Sequence, residues 1–299
     1  MANLKEVRSR ITSVQSTQQI TKAMKMVSAA KLRRAQDGIM RMRPYAQRLA
    51  AILGNLSRLT GDDFENVYAT PRDPRRVLVI AVTSDRGLCG AFNANIVKAA
   101  YRLIQEKYAA QYAAGNVSFL AIGKKGHEAL VKRGEKMVGD FQTVFSNLSF
   151  DTVRVAAERA MQGFRDGEFD RVELIYNEFK NVATQQVQAQ QLMPIQPAAE
   201  AAGAPGTATG AQPWYTFVPS QEEIMTELIP KSLKIQVYKA VLESNASEHG
   251  ARMTAMDKAT DNAGEMLKAL KLMYNRTRQA AITTEILEIV GGAEALAAG

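Results

Sequence analysis

From Asn3 to about Leu59 apolar residues return at helical spacing: Leu4, Val7, Ile11 and Val14, then, after a phase shift, Ile20, Met24, Val27 and Ala30. The stripe resumes at Leu32, Ala35, Ile39 and Met42. Asn3 followed by Glu6 has the spacing of a helix-starting cap. The pattern predicts one long helix with a local kink at Pro44, whose nitrogen cannot donate, and at 1.5 Å per residue it would measure roughly 80 Å. Such a length exceeds the width of a compact domain, so the helix must extend beyond one.

The periodicity changes after Pro71 and Pro74. VLVIAV at 77–82 is a buried-strand run, followed by the glycine-rich turn SDRGLCGAFN at 84–93. The pattern then predicts a helix over about 95–112, a strand over 117–122, a short helix over 125–132 and a strand near 137–145. A helix over 151–164 and strands over 171–179 and 185–193 complete the set. This alternation implies a Rossmann-like α/β layer domain with a largely parallel sheet. PIQPAAEAAGAPGTATGAQP at 194–213 has almost no charge or bulky apolar side chain and predicts a flexible surface loop.

After Ser220, whose SQEE run has the form of a capping box, helical character continues to about Val290, with a kink expected at Pro230. Leu242, Ala246, His249, Met253, Met256, Thr260, Ala263, Leu267, Leu270, Tyr274, Thr277, Ala281 and Thr284 alternate spacings of four and three, a heptad seam. Two long amphipathic helices at opposite ends of the chain most simply pair as an antiparallel coiled coil. The expected organisation is a helix over 1–60, an α/β foot domain over 75–215 and a second long helix over 220–299. The small and polar residues of the seam fit either close helix approach or controlled flexibility.

Composition narrows the class. Thirty-eight basic against 30 acidic residues give a formal charge of +8, which favours an acidic partner. Much of the excess lies on the first arm, at Lys5, Arg8, Arg10, Lys22, Lys25, Lys31, Arg33, Arg34, Arg41, Arg43 and Arg48 against only Glu6 and Asp37. A solvated face and an external negative surface both account for it. A basic coiled-coil module binding nucleic acid is the alternative function on charge alone. The arm lacks a recognition fold, and its first 44 positions hold no aromatic residue among the cations, which argues for no nucleic-acid partner. The last stretch, AAITTEILEIVGGAEALAAG, carries no Lys or Arg and reads either as a frayed end or as an apolar plug for a protein sleeve.

The longest apolar run, 77–82, is far short of the roughly 20 residues that cross a bilayer, so no membrane span is expected. MANLKEVRSR has no apolar core of a secretory signal. The single cysteine, Cys89, excludes an internal disulfide and a cysteine cluster and fits a reducing compartment. With only His127 and His249 as histidine bases, Cys89 is a poor nucleophile candidate. GKKG at 123–126 is too short and wrongly spaced for a phosphate loop, and no metal-ligand spacing occurs. No cofactor, metal or catalytic residue is therefore expected.

ITKAMKMVSAAKLRRAQ at 20–36, SDRGLCGAFN at 84–93 and MYNRTRQAAITTEILEIVGG at 273–292 together resemble the gamma subunits of F-type ATP synthases over essentially the full length. The resemblance implies a non-catalytic rotor shaft of a bacterial enzyme, peripheral on the cytoplasmic side of the plasma membrane. It would couple proton or sodium flow through the membrane c ring to catalysis at the alpha and beta subunits, with an epsilon subunit on the foot. It further implies beta-subunit contacts at Met24, Lys22, Lys25, Arg33, Arg34, Arg278, Gln279 and Thr283, and c-ring contacts at Tyr215, Thr216 and Phe217. Val218 departs from the acid that many relatives carry there. The cysteine pair of plastid members is absent, and 194–213 resembles a lineage-specific insertion.

Overall fold

The computed structural model describes residues 4–60, 66–182, 184–195 and 220–297. Its elements run α1 (Leu4–Thr60), β1 (Val77–Val82), α2 (Phe92–Lys107), α3 (Ala109–Ala113), β2 (Val117–Ile122), α4 (Lys124–Val131), α5 (Phe150–Arg165), β3 (Arg171–Phe179), β4 (Gln185–Met193) and α6 (Gln221–Ala297). The expected long helices at both ends are present, each continuous through its proline, Pro44 or Pro230. Ser220 caps α6 by accepting a hydrogen bond from the Glu223 backbone N–H at 3.2 Å. The segment 196–219, with Tyr215, Thr216, Phe217 and nearly all of the expected loop, lies outside the described residues.

The chain divides into two compact units, one of Ala30–Ala251 and one of Met1–Ala29 with Arg252–Gly299. In the larger unit the four strands form one sheet in the order β2-β1-β3-β4. β1 is parallel to β2 and to β3, whereas β4 returns antiparallel beside β3. Only residues 180–184 separate the two strands, too few for the crossover that a parallel neighbour needs.

Every residue of β1 is buried, and successive side chains enter opposite cores. Leu78, Ile80 and Val82 pack with α5 residues Val153, Ala157, Ala160 and Phe164 and with α6 residues Leu233, Val237 and Val241. Val77, Val79 and Ala81 pack with α2 residues Ile96, Ala100, Leu103 and Ile104. The continuous apolar run is thus the signature of a strand covered on both faces. Within this unit α1 turns Leu32, Ala35, Ile39 and Leu49 inward.

Two expectations fail locally. The helix over 95–112 breaks at Tyr108, which leaves helical geometry and buries its ring so that its hydroxyl donates to Glu173 Oε1 at 2.5 Å. A tertiary hydrogen bond to a buried carboxylate has overridden helical propensity there. The strand over 137–145 is replaced by two isolated parallel bridges, Phe119 with Met137 and Ile122 with Phe141, and a 3-10 turn at Val144–Asn147. Gly139 interrupts the ladder at φ +71°, a conformation that ordinary strand residues do not adopt.

In the smaller unit α1 and α6 run antiparallel. Thr21 Oγ1 lies 2.8 Å from Thr260 Oγ1, and Lys25 Nζ lies 2.5 Å from Asp257 Oδ1. The paired numbers sum to about 281, a register that sets Leu4 opposite Thr277. On α6, Met256, Ala263 and Leu267 are buried, and Met253, Thr260, Leu270, Tyr274 and Thr277 are half-buried, matching the expected seam. Ala281 and Thr284, placed in that seam by spacing, are exposed.

The phase shift expected in α1 does not occur. The inward positions are Leu4, Val7, Ile11, Val14, Gln18, Thr21, Lys25 and Ser28, an unbroken alternation of threes and fours, and all of them are buried or half-buried. Ile20 and Val27 are instead 59% and 57% exposed. The apolar stripe 20-24-27 is the outer face of a helix whose inner face has become polar.

Candidate functional site: exposed faces of the long helices

The crevice beyond the carboxyl ends of β1 and β3, on either side of which the connections leave in opposite directions, is the place where open α/β sheets hold ligands. Here α6 fills it. Ser244 Oγ donates to the Val82 carbonyl at 3.4 Å and Ser247 Oγ to the Asn177 carbonyl at 3.1 Å. Glu243, whose side chain is 2% exposed, accepts the Phe179 N–H at 3.1 Å and pairs with Arg43 at 3.3 Å. A buried carboxylate is tolerable only with such partners. The chain's own helix therefore occupies the position a nucleotide would take.

The two glycine-rich stretches have structural roles in the same unit. In SDRGLCGAFN the Ser84 backbone N–H donates to Asn93 Oδ1 at 2.9 Å, and Asn93 Nδ2 donates to Cys89 Sγ at 3.3 Å. Cys89 is buried, which removes the access a nucleophile needs. Burial pushes the Asp85 carboxyl above its ordinary range, opposed by a hydrogen bond from the Lys124 N–H and by the charges of Arg86 and Lys124. In GKKG the Gly126 N–H donates to Thr83 Oγ1 at 2.9 Å, and a Cβ at Gly126 would lie 2.5 Å from that oxygen. Close approach of α4 to the end of β1 explains the glycine. Among the described residues no cluster of His, Cys, Asp or Glu could hold a metal ion.

The expected contact residues fall on the long helices. Lys22, Arg33 and Arg34 are exposed on α1, Met24 is half-buried, and Lys25 is turned toward Asp257 in the seam. Lys25 therefore spends its charge inside the coil. Arg33 and Arg34 belong to the larger unit and Lys22, Met24 and Lys25 to the smaller. On α6, Arg278, Gln279 and Thr283 are all exposed, and the Thr283 hydroxyl donates to the Gln279 carbonyl at 2.9 Å. By the coil register Lys22 lies level with residue 259–260, so the Lys22 and Arg278 groups are about 27 Å apart at 1.5 Å per residue. They are two contact levels of one coil, not a single site.

Two apolar surfaces were missed or only half seen from sequence. The first is the Ile20, Met24 and Val27 stripe, assigned to the coil interface by its apolar character; the signal that could have found it is the break in phase with Leu4 to Val14. The second is the continuation of α6. From Arg278 to Glu294 every residue is exposed, including Ile282, Ile286, Leu287, Ile289 and Val290, and Ile282, Ile286, Ile289 and Val290 share one face. A contiguous apolar face on an unpaired helix marks an interaction site.

Comparison with known proteins converges on one family. The ATP synthase family model matches residues 3–296. The chain is 64% identical to the ATP synthase gamma chain of Cytophaga hutchinsonii over 296 residues, with 99% of each covered. It is 53% identical to that of Flavobacterium johnsoniae over 298 residues, again with 99% of each covered. Its fold resembles a chain in the cryo-EM structure of the Euglena gracilis mitochondrial ATP synthase comprising OSCP, F1 and c-ring, with TM-score 0.65, 23% identity, and coverage of 99% of this chain and 95% of that one. With continuous helices at both ends, a four-stranded sheet between them and full-length identity of this order, the chain belongs to the ATP synthase gamma-chain family.

Proposed function

We propose that this gamma chain is the non-catalytic rotor shaft of a bacterial F-type ATP synthase, coupling proton or sodium flow through the c ring to ATP synthesis or hydrolysis in the alpha and beta subunits. The observation that carries the reading is the end of α6, where Arg278 to Glu294 are exposed, pair with no described residue of α1, and include the large apolar side chains of Ile282, Ile286, Leu287, Ile289 and Val290. A helix end of this chemistry suits an apolar protein sleeve. An asymmetric shaft within three equivalent catalytic sites contacts each differently, so their nucleotide affinities differ and rotation exchanges them. A shaft touching all three alike would shift none.

On this reading Lys22, Met24, Arg33 and Arg34 on α1, and Arg278, Gln279 and Thr283 on α6, meet the beta subunits. Lys25, whose side chain is 37% exposed while it pairs with Asp257, is counted with them by resemblance. Exposed ion pairs worth about 0 to 1 kcal/mol each suit contacts broken every turn. Tyr215, Thr216 and Phe217 are assigned to the c ring by resemblance, with an epsilon subunit on the larger unit. No helix among the described residues is long and apolar enough to cross a membrane. On the same reading by resemblance, the complex lies at the plasma membrane with this subunit peripheral on its cytoplasmic side.

The test is reconstitution with alpha, beta, epsilon and membrane subunits in vesicles, with the intact chain and with one ending at Thr277. The truncated shaft should lose most ion-driven ATP synthesis and stall torque, and the purified chain alone should hydrolyse no ATP. Equal synthesis by both complexes, or ATPase activity in the isolated chain, would remove the rotor reading.

A further inference from the structure

α1 carries two overlapping stripes between residues 18 and 28, one apolar and one polar, and only one face can point into the coil. Ile20, Met24 and Val27 offer a mostly apolar face. Gln18, Thr21, Lys25 and Ser28, about 100° around the helix, offer a polar one. Burial alone selects the first, yet the second is turned inward. What opposes burial is a set of directional bonds to α6. Thr21 Oγ1 meets Thr260 Oγ1 at 2.8 Å, Gln18 Nε2 donates to the Thr260 carbonyl at 3.4 Å, and Lys25 Nζ pairs with Asp257 Oδ1 at 2.5 Å.

The fit is steric as well as polar. Thr260 has an acceptor on its own helix in the Met256 carbonyl at 2.7 Å and Thr21 has one in the Gln18 carbonyl at 3.0 Å, so one hydroxyl can bond within its helix while the other gives its proton across the coil. Gly264 leaves room for Gln18, whose Nε2 would lie 3.1 Å from a Cβ placed there. Ser28 closes the segment by donating to the Met24 carbonyl at 2.7 Å, so its hydroxyl needs no partner on α6. Each inward polar side chain is thus either paired across the coil or satisfied on its own helix.

We propose that Thr21, Lys25, Asp257 and Thr260 are positioning residues that fix the rotational phase of α1 within the coil and thereby hold Ile20 and Val27 on the outer surface. A polar residue at a seam position that specifies one arrangement at a cost in stability is an established device of coiled coils. What is specified here is which face of α1 the shaft displays. Without the bonds, the apolar stripe rotates inward and the polar stripe outward.

The rates at which cysteines placed on the two faces react with a maleimide read this directly in the full chain, with the labelled site located by mass spectrometry. In the native background Val27→Cys should react fast and Ser28→Cys slowly. In the background Thr21→Ala, Lys25→Ala, Asp257→Ala, Thr260→Ala the order should invert, with the rate at 27 falling and that at 28 rising by more than tenfold each. The milder pair Lys25→Ala with Asp257→Ala should move both rates in those directions by at least threefold. Thr21→Ser with Thr260→Ser, which keeps both hydroxyls, should restore the native order. Unchanged rates in the milder pair would show that burial elsewhere sets the phase, and fast reaction at both positions would show loosening rather than rotation; either overturns the proposal. Neither rate depends on a partner subunit.

Discussion

β1 of the larger unit and the paired seam of the smaller one are both interior surfaces, but they are specified by different forces. β1 buries six apolar residues between two cores, each contributing about 1.5–3 kcal/mol for a large side chain, and its position follows from area alone. The seam pairs threonine with threonine and lysine with aspartate, where a net hydrogen bond is worth about 0.5–1.5 kcal/mol and a half-exposed ion pair less. Strong, undirected burial gives stability; weak, directed contacts choose between faces. A shaft whose outer surface must be one face and not another needs the second kind more than the first.

Truncation in the two interiors gives the largest contrast. Phe164 is fully buried between the sheet and Arg72, whose guanidinium sits 4.6 Å above the ring, so Phe164→Ala should cost about 3–5 kcal/mol. Leu267→Ala in the coil should stay at or below the low end of the aliphatic range, about 2 kcal/mol, because its surroundings can collapse. Urea midpoints at unchanged slope measure both, and equal losses would break the contrast. Next in size is Gly126→Ala, which sets a methyl 2.5 Å from Thr83 Oγ1 and 2.7 Å from its Cγ2. A cost of about 1–3 kcal/mol is expected, against nearly none for Gly87→Ala, which has no neighbour within 4 Å of the added atom.

The same division of forces decides what was legible in the sequence. The four strands of the sheet were readable to their ends, since a run such as VLVIAV has one way to bury both faces. Where a single polar contact governs, the pattern misleads. Tyr108 reads as a helix residue until Glu173, 65 residues away, is seen to accept its hydroxyl. Met137 to Phe145 reads as a strand until Gly139 adopts positive φ. Ile20 and Val27 read as core because they are apolar, yet they fall out of phase with Leu4 to Val14, and the inward alternation continues through Thr21 and Lys25, which meet Thr260 and Asp257. The seam of α6 was legible down to Thr277 but not beyond it, since Ala281 and Thr284 keep the same spacing and are exposed.

Alkaline pH probes the larger unit selectively. Burial, reinforced by the hydrogen bond to Glu135, pushes Tyr101 up to about 12, and burial pushes Tyr176 up to about 12 with the charges of Glu178 and Glu243 adding. Burial and Glu173 raise Tyr108 further. A phenol whose folded pKa exceeds its unfolded value near 10 favours the folded state while protonated. That contribution is complete below about pH 10 and is lost as pH rises toward 12 and beyond. The urea midpoint of the larger unit should therefore fall between pH 10 and 12, and Tyr101→Phe should flatten part of the slope. An unaltered slope in that variant would mean that Tyr101 ionises alike in both states.

The smallest effect expected is the most discriminating for the seam. Thr21→Val removes the contact to Thr260 but orphans nothing, because the Thr260 hydroxyl still donates to the Met256 carbonyl at 2.7 Å. The new methyl meets a site that is already 92% buried, so the lost hydrogen bond, about 0.5–1.5 kcal/mol, is offset by apolar burial of similar size. Stability should move by less than about 1 kcal/mol, within the range of ordinary surface changes. Near-neutral stability separates a seam whose hydrogen bonds add little net stability from one that needs them to hold together. A loss of several kcal/mol would assign the Thr21 and Thr260 hydroxyls to stability and erase the distinction between the two interiors.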